Sequence, residues 1–213
     1  MRGTGRAGDA QAAFDVYGRD EVMRWLGAQP RRAVSSLTQM RERLGPMIQR
    51  AHDEPDYGLW PVSLRTGPTA GAVVGAVLLS RLPEDDREVE IGWHLNPDYW
   101  GNGYATEAGR GVAGLAFGVT PVGPENVELP AVPDRVEEDV VPGSPALDRA
   151  PLDRVPLGRA PLDRVIALVD PDNARSHAVC RRLGMTHVGQ TEKYYGLLLE
   201  LFELARADIV SQH

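Results

Sequence analysis

Apolar and polar positions change their rhythm twice along the chain. Up to residue 53 the spacing is helical: AQAAFDVY (10–17), DEVMRWLG (20–27) and SSLTQMRERLGPMIQRAHD (35–53) each read as helix. Asp20 is the predicted N-cap of the second, with Gly27 at its end. In the third, Leu37, Met40 and Leu44 share a face, and Gly45-Pro46 is expected to interrupt the helix because proline lacks the N–H. From Tyr57 the period becomes two. YGLWPVSL, AVVGAVLLS and EVEIGWHL, separated by the turn-rich TGPTAG and LPEDDR, predict an antiparallel meander. In EVEIGWHL, Glu88, Glu90, Gly92 and His94 take one face and Val89, Ile91, Trp93 and Leu95 the other, so one face is core and the other polar.

After the glycine-containing WGNGYATEA (100–108), the Ala-rich TEAGRGVAGLAFG returns to helix. VIALV (165–169) is a continuous apolar run of strand length, as expected of a strand covered on both faces. DPDNARSHAVCRRLGM then predicts a helix capped by Asp172 or Asn173, with Gly184 just past its end. A short strand around HVGQT and the run LLLELFEL follow. Helices, antiparallel strands, helix, strand, helix and strands in that order predict a mixed α/β (α+β) layer built on one sheet, and 213 residues suit a single domain.

Residues 119–163 break the pattern. Between Phe117 and Val165 lie nine of the 17 prolines and nine acidic residues but no aromatic side chain, so this stretch is expected to be an extended or flexible insertion rather than core. Its second half repeats every five residues, with Leu at 147, 152, 157 and 162 and Arg at 149, 154, 159 and 164. Tandem duplication accounts for that period, and the spacing does not match PxxP recognition segments.

Charge and composition narrow the partners. A net charge of −7 without a Lys/Arg cluster argues against nucleic acid and anionic membranes. Lys193 stands against 22 arginines, the bias of a GC-rich genome. Cys180, the sole cysteine, excludes an internal disulfide and reads as a buried small hydrophobe. The histidines show no metal-ligand spacing, so no metal is expected. Without a signal-like start or an apolar run of spanning length, a cytoplasmic protein is expected, as monomer or homodimer.

WGNGYATEA admits three readings. A dinucleotide fingerprint fails, because Thr106 occupies the third glycine position and no strand follows for some 60 residues. A plain strand-to-helix turn remains open, with glycines supplying positive φ. So does an anion site, in which Gly101, Gly103 and Ala105 clear the space where N–H groups converge at a helix N-terminus.

EIGWHLNPDYWGNGYATEA followed by VIALVDPDNARSHAVCRRLGM resembles the GNAT superfamily of acetyl-CoA-dependent N-acetyltransferases, especially its Rim-type branch of ribosomal-protein-like enzymes. Gly103 and Ala105 match the last fixed positions of that family's Gln/Arg-x-x-Gly-x-Gly/Ala loop. Trp100 replaces the Gln or Arg, in the Rim-type manner. Asn173, Ser176 and Leu183-Gly184-Met185 match the family's second block, and VYGRDEVMRWLG is similar to the branch's substrate-side helices. The resemblance covers about residues 14–118 and 164–204, and departs from the family in the insertion and in MRGTGRAGDA, which does not supply the usual opening strand.

The resemblance implies a mainly antiparallel sheet flanked by helices and splayed between the fourth and fifth family strands. Acetyl-CoA would lie in the splay, held by Leu95, Trp100, Gly101, Asn102, Gly103, Tyr104, Ala105, Thr106, Asn173 and Ser176. Glu90 would be the general base, with Glu88 and His94 as lesser candidates. Tyr195, or else Ser176 or water, would protonate the leaving thiolate, and Trp25, Tyr57 and Trp60 would line the amine side. The acceptor would be a primary amine, on a protein N-terminus or a small molecule. An acyl-CoA-binding sensor without turnover, or a bare domain whose proline-rich arm binds a partner, are the competing expectations.

Overall fold

The computed structural model describes residues 7–54, 56–119, 127–128 and 161–210. Helices α1 (Ala7–Tyr17), α2 (Asp20–Met23) and α3 (Leu37–Asp53) precede an antiparallel meander of β1 (Gly58–Leu64), β2 (Val73–Leu82) and β3 (Asp85–Leu95). A 3₁₀ turn, Pro97–Tyr99, and the glycine loop lead into α4 (Tyr104–Phe117). Then come β4 (Val127–Glu128), β5 (Arg164–Val169), α5 (Ala174–Leu183), β6 (Thr186–Thr191), β7 (Leu199–Ala205) and the single turn α6 (Arg206–Val210).

The strands form one sheet in the order β4-β1-β2-β3-β5-β7-β6. Six are full strands. The seventh, β4, contributes two residues from inside the 119–163 stretch and covers the outer edge of β1 through Ser63 with Glu128 and Leu64 with Val127. Residues 1–6, where an opening strand was sought, and residues 120–126 and 129–160, which hold most of the insertion and its repeat, fall outside the described residues.

Strand alternation assigns the two faces. Val62, Val77, Leu79, Val89 and Ile91 pack with Val112, Ala116 and Phe117 of α4 in the main core. Gly109 lets α4 sit close to α5, since a Cβ there would come within 3.0 Å of Leu183. Against the opposite face, Val16, Tyr17, Val22, Met23, Val34 and Met40 of the N-terminal helices form a second cluster. The sheet is mixed: β3 and β5 run parallel and are in register at one pair only, Glu90 with Ile166. Beyond that pair the two strands part.

Three local expectations are corrected. Helix α3 runs unbroken through Pro46. Glu42, whose carbonyl loses its partner, is exposed together with Gly45 and Pro46, so water can replace the missing bond. The helix start is well sealed, because Ser36 accepts from the Gln39 N–H while the Gln39 side chain accepts from the Ser35 N–H. Helix α2 is only four residues long, and Arg19 rather than Asp20 holds its N-cap position, without a side-chain cap. The rest of DEVMRWLG leaves the helix in turns that end at Gly27, where φ is +64°.

Candidate active site

Where β3 and β5 part, a cavity of about 250 Å³ opens. Glu90 to His94 form one wall and Ala167 to Asp170 the other, and Asn173 and Ser176 at the start of α5, Tyr195, Arg31 and Trp25 to Gly27 also line it.

Glu90 projects from the polar face of β3 and is part-buried. Loss of water pushes its carboxyl up to about 7; the hydrogen bond from Tyr195 pulls it down, and the charge of Glu84 raises it. The Tyr195 hydroxyl donates to Glu90 Oε2 at 2.5 Å. Burial first, and then the charge of Glu90, hold the Tyr195 hydroxyl well above its ordinary range, so the tyrosine keeps its proton and the carboxylate accepts.

The turn between β6 and β7 brings Tyr195 there. Tyr195 (φ +57°) and Gly196 (φ +63°) are both left-handed, and the Leu197 N–H bonds the Tyr194 carbonyl at 3.2 Å, the pattern of a type I′ turn. A tyrosine resists positive φ, and tertiary bonds hold it. Its N–H donates to Glu84 at 2.8 Å, and Lys193 pairs with Asp85 at 2.7 Å, docking this turn on the one between β2 and β3.

His94 also lines the cavity, but it is occupied. Its Nδ1 lies 2.9 Å from the Tyr17 hydroxyl. Burial raises that hydroxyl well above its usual range and lowers His94 to about 4, so the imidazole is neutral. Among the described residues the Tyr17 hydrogen has no other acceptor, which makes Tyr17 the donor and leaves the ring hydrogen on Nε2. Glu88 is further from the chemistry, since it pairs with Arg164, which also binds Glu203 at 2.9 Å.

The glycine loop has the features an anion requires. Gly101 (φ +82°) and Gly103 (φ +87°) take a conformation that other residues resist. Gly103 caps α4 by its carbonyl, which accepts from Thr106 and Glu107. Among the described residues the N–H groups of Asn102, Gly103, Tyr104 and Ala105 have no acceptor. The Asn102 side chain braces the loop by donating to the carbonyls of Tyr99 and Trp100. Thr106 is buried and its hydroxyl lacks any partner, which is costly unless something else fills that role. Free amides, a helix dipole and an orphaned hydroxyl fit a pyrophosphate group. On α5, Asn173 accepts from the Ser176 N–H at 3.2 Å and so caps the helix with one atom while its amide nitrogen stays available.

A family profile described as "Acetyltransferase (GNAT) domain" matches residues 2–186. The chain belongs to the GNAT acetyltransferase family. It is 26% identical over 110 residues to the "Uncharacterized N-acetyltransferase YoaA" of Bacillus subtilis (strain 168), a match spanning 51% of this chain and 58% of that protein. Among solved structures it resembles AAC(6')-Ib in complex with ribostamycin and coenzyme A (TM-score 0.62, 13% identity, covering 98% of this chain and 94% of that one). It also resembles a Vibrio cholerae protein named for ribosomal-protein-serine acetylation (TM-score 0.60, 14% identity, 95% and 91% covered). A third likeness is the microcin C7 self-immunity acetyltransferase MccE in complex with acetyl-CoA and AMP (TM-score 0.58, 12% identity, 95% and 89% covered). At these identities the structures speak for the fold. Acetyl-CoA, expected from the sequence, is the co-substrate that GNAT membership brings.

In this GNAT domain the expected site residues divide. Glu90, Tyr195, Asn173, Ser176 and Trp25 meet at one cavity. Trp100 instead anchors the loop: its indole N–H donates to the Leu95 carbonyl at 2.9 Å, occupying a group expected to face the cofactor. The Arg175 guanidinium lies over its ring at 4.6 Å, a cation beside the loop that the motif did not reveal. Tyr57 and Trp60 are corrected to core residues; they pack in the main cluster and line no part of the cavity. An unforeseen contact is the ion pair of Arg31 with Asp170, 2.5 Å apart and 139 positions distant. Arg31 also donates to the carbonyls of Arg24 and Gly27, and so ties the segment carrying Trp25 to the end of β5. Only the position of Asp170, just past a buried strand, was a signal for it. Among the described residues no helix is long and apolar enough to cross a membrane.

Proposed function

We propose that this GNAT domain is an N-acetyltransferase that moves the acetyl group of acetyl-CoA to a primary amine by direct attack, with Glu90 as base and Tyr195 as proton donor. The observation that carries the reading is the Tyr195–Glu90 hydrogen bond inside the cavity where β3 and β5 separate. The Gly101–Thr106 loop would hold the pyrophosphate, and Asn173 would meet the pantetheine arm. Bound acetyl-CoA supplies an activated thioester carbonyl. As the new C–N bond forms and the C–S bond breaks, Glu90 takes the proton from the amine nitrogen. Tyr195 gives its hydroxyl proton to the departing sulfur and recovers one from Glu90, so both groups end as they began. A base near 7 matches this work at neutral pH. Ser176, on the same wall, is the alternative donor. The Trp100 form of the loop supports a place in the Rim-type branch.

Thiol release from acetyl-CoA over a panel of amines and peptides tests the proposal. Amine-dependent release is expected. Acetyl-CoA binding in calorimetry without release for any amine would instead identify a sensor.

A further inference from the structure

A second cavity, of about 170 Å³, adjoins the first, and Leu26, Gly27 and His94 line both. Its other lining residues are Tyr17, Met23, Met40, Met47 and Arg43. The Tyr17 hydroxyl and His94 Nδ1 bind each other at 2.9 Å, so apart from the His94 Nε2–H this wall offers mainly carbon. Three methionines give a soft surface that adapts to aliphatic groups of different shape. Met40, Arg43 and Met47 lie three and four positions apart on α3, hence on one helix face. Arg43 is exposed and, among the described residues, makes no ion pair. The cavity therefore combines an apolar interior, a cation at its rim that makes no ion pair among the described residues, and a wall shared with the cavity that holds the proposed base.

We propose that this cavity receives the aliphatic side chain next to the acceptor amine, and that Arg43 pairs with a carboxylate one residue further along. This rests on the acetyl-transfer reading and names its substrate class: an α-amine beside an aliphatic group and followed by an acid. The amine is directed to Glu90 past His94 while the side chain turns into the methionine-lined space. A glycine-like acceptor leaves that space empty, and a basic second group meets Arg43 with like charge.

Four dipeptide amides test this with the full chain: Leu-Glu, Leu-Lys, Gly-Glu and Gly-Lys, each with acetyl-CoA and thiol release as readout. Leu-Glu is expected to have the highest kcat/KM, at least about tenfold above Gly-Glu and about threefold above Leu-Lys. Arg43→Glu should reverse the Glu/Lys preference, and Met47→Phe should shrink the Leu/Gly ratio, both with unchanged acetyl-CoA affinity in calorimetry. Turnover of all four amides with ratios near one, untouched by either variant, overturns the acceptor assignment and leaves acetyl transfer standing. No release with these or any other amine overturns acetyl transfer itself, and this assignment with it.

Discussion

The Tyr195 hydroxyl donates to the Glu90 carboxylate at 2.5 Å although 105 positions separate the two residues. In the proposed transfer Glu90 accepts a proton and Tyr195 releases one, and this bond joins the two. Because Glu90 sits near 7, kcat/KM should rise with pH through about 7 and then level. Glu90→Gln should lower kcat by about a hundredfold or more and abolish that limb, with acetyl-CoA affinity retained in calorimetry. A variant as fast as the parent would remove Glu90 as base.

Tyr195→Phe removes the hydrogen bond that lowers the Glu90 pKa, so the acidic limb of the pH–rate profile should move to higher pH. Loss of the proton donor should also slow turnover by roughly ten- to a hundredfold. A slower enzyme with an unmoved limb would mean that the tyrosine serves the leaving group alone.

Stability should record the same strained carboxyl. Glu90 binds its proton more tightly folded than unfolded, its pKa rising from 4.5 to about 7, so its contribution to stability declines as pH climbs through that interval. Glu90→Gln cannot titrate there. Between pH 5 and 8 the variant should gain on the parent by on the order of 2 kcal/mol in urea unfolding. A parallel pH response in both proteins would contradict the burial argument.

Arg31 and Asp170 have side chains 8% and 20% exposed, so removing one partner strands a charge with little water. Asp170→Asn should cost about 2–4 kcal/mol in denaturant unfolding and raise KM for the acceptor more than for acetyl-CoA, because the Trp25 segment loses its tie to β5. Equal effects on both KM values would place the tie outside acceptor binding.

Thr106→Val removes a buried hydroxyl that has no partner, so the free protein should be unchanged or up to about 1 kcal/mol more stable. The same change should weaken acetyl-CoA in calorimetry if the hydroxyl meets a phosphate oxygen. Gly103→Glu should weaken it further, by adding a carboxylate to the loop at a φ of +87° that suits only glycine. Unaltered affinity in both variants would move the pyrophosphate elsewhere.

Much of this arrangement is written locally. Period-two alternation in EVEIGWHL puts Glu90 on the face away from the Val89–Ile91 core, and the structure keeps it there. Asn173 and Gly184 end α5 as their side chains and φ preferences dictate. Where local rules failed, exposure or long-range packing intervened: Pro46 stays inside α3 because its surroundings are open to water.

Sequence by itself determined the type of most segments, though not the short α2, the unbroken α3 or β4, and with them the open glycine loop, the polar face carrying Glu90 and the family to which the chain belongs. Only the tertiary structure decided that Tyr195 meets Glu90, that Arg31 reaches Asp170, that Tyr57 and Trp60 turn inward, and that a methionine-lined cavity adjoins the one lined by Glu90. Periodicity and capping are settled by neighbours within a few residues. Which faces meet depends on how far β3 and β5 part after Glu90, and on turns and helices delivered from more than a hundred positions away.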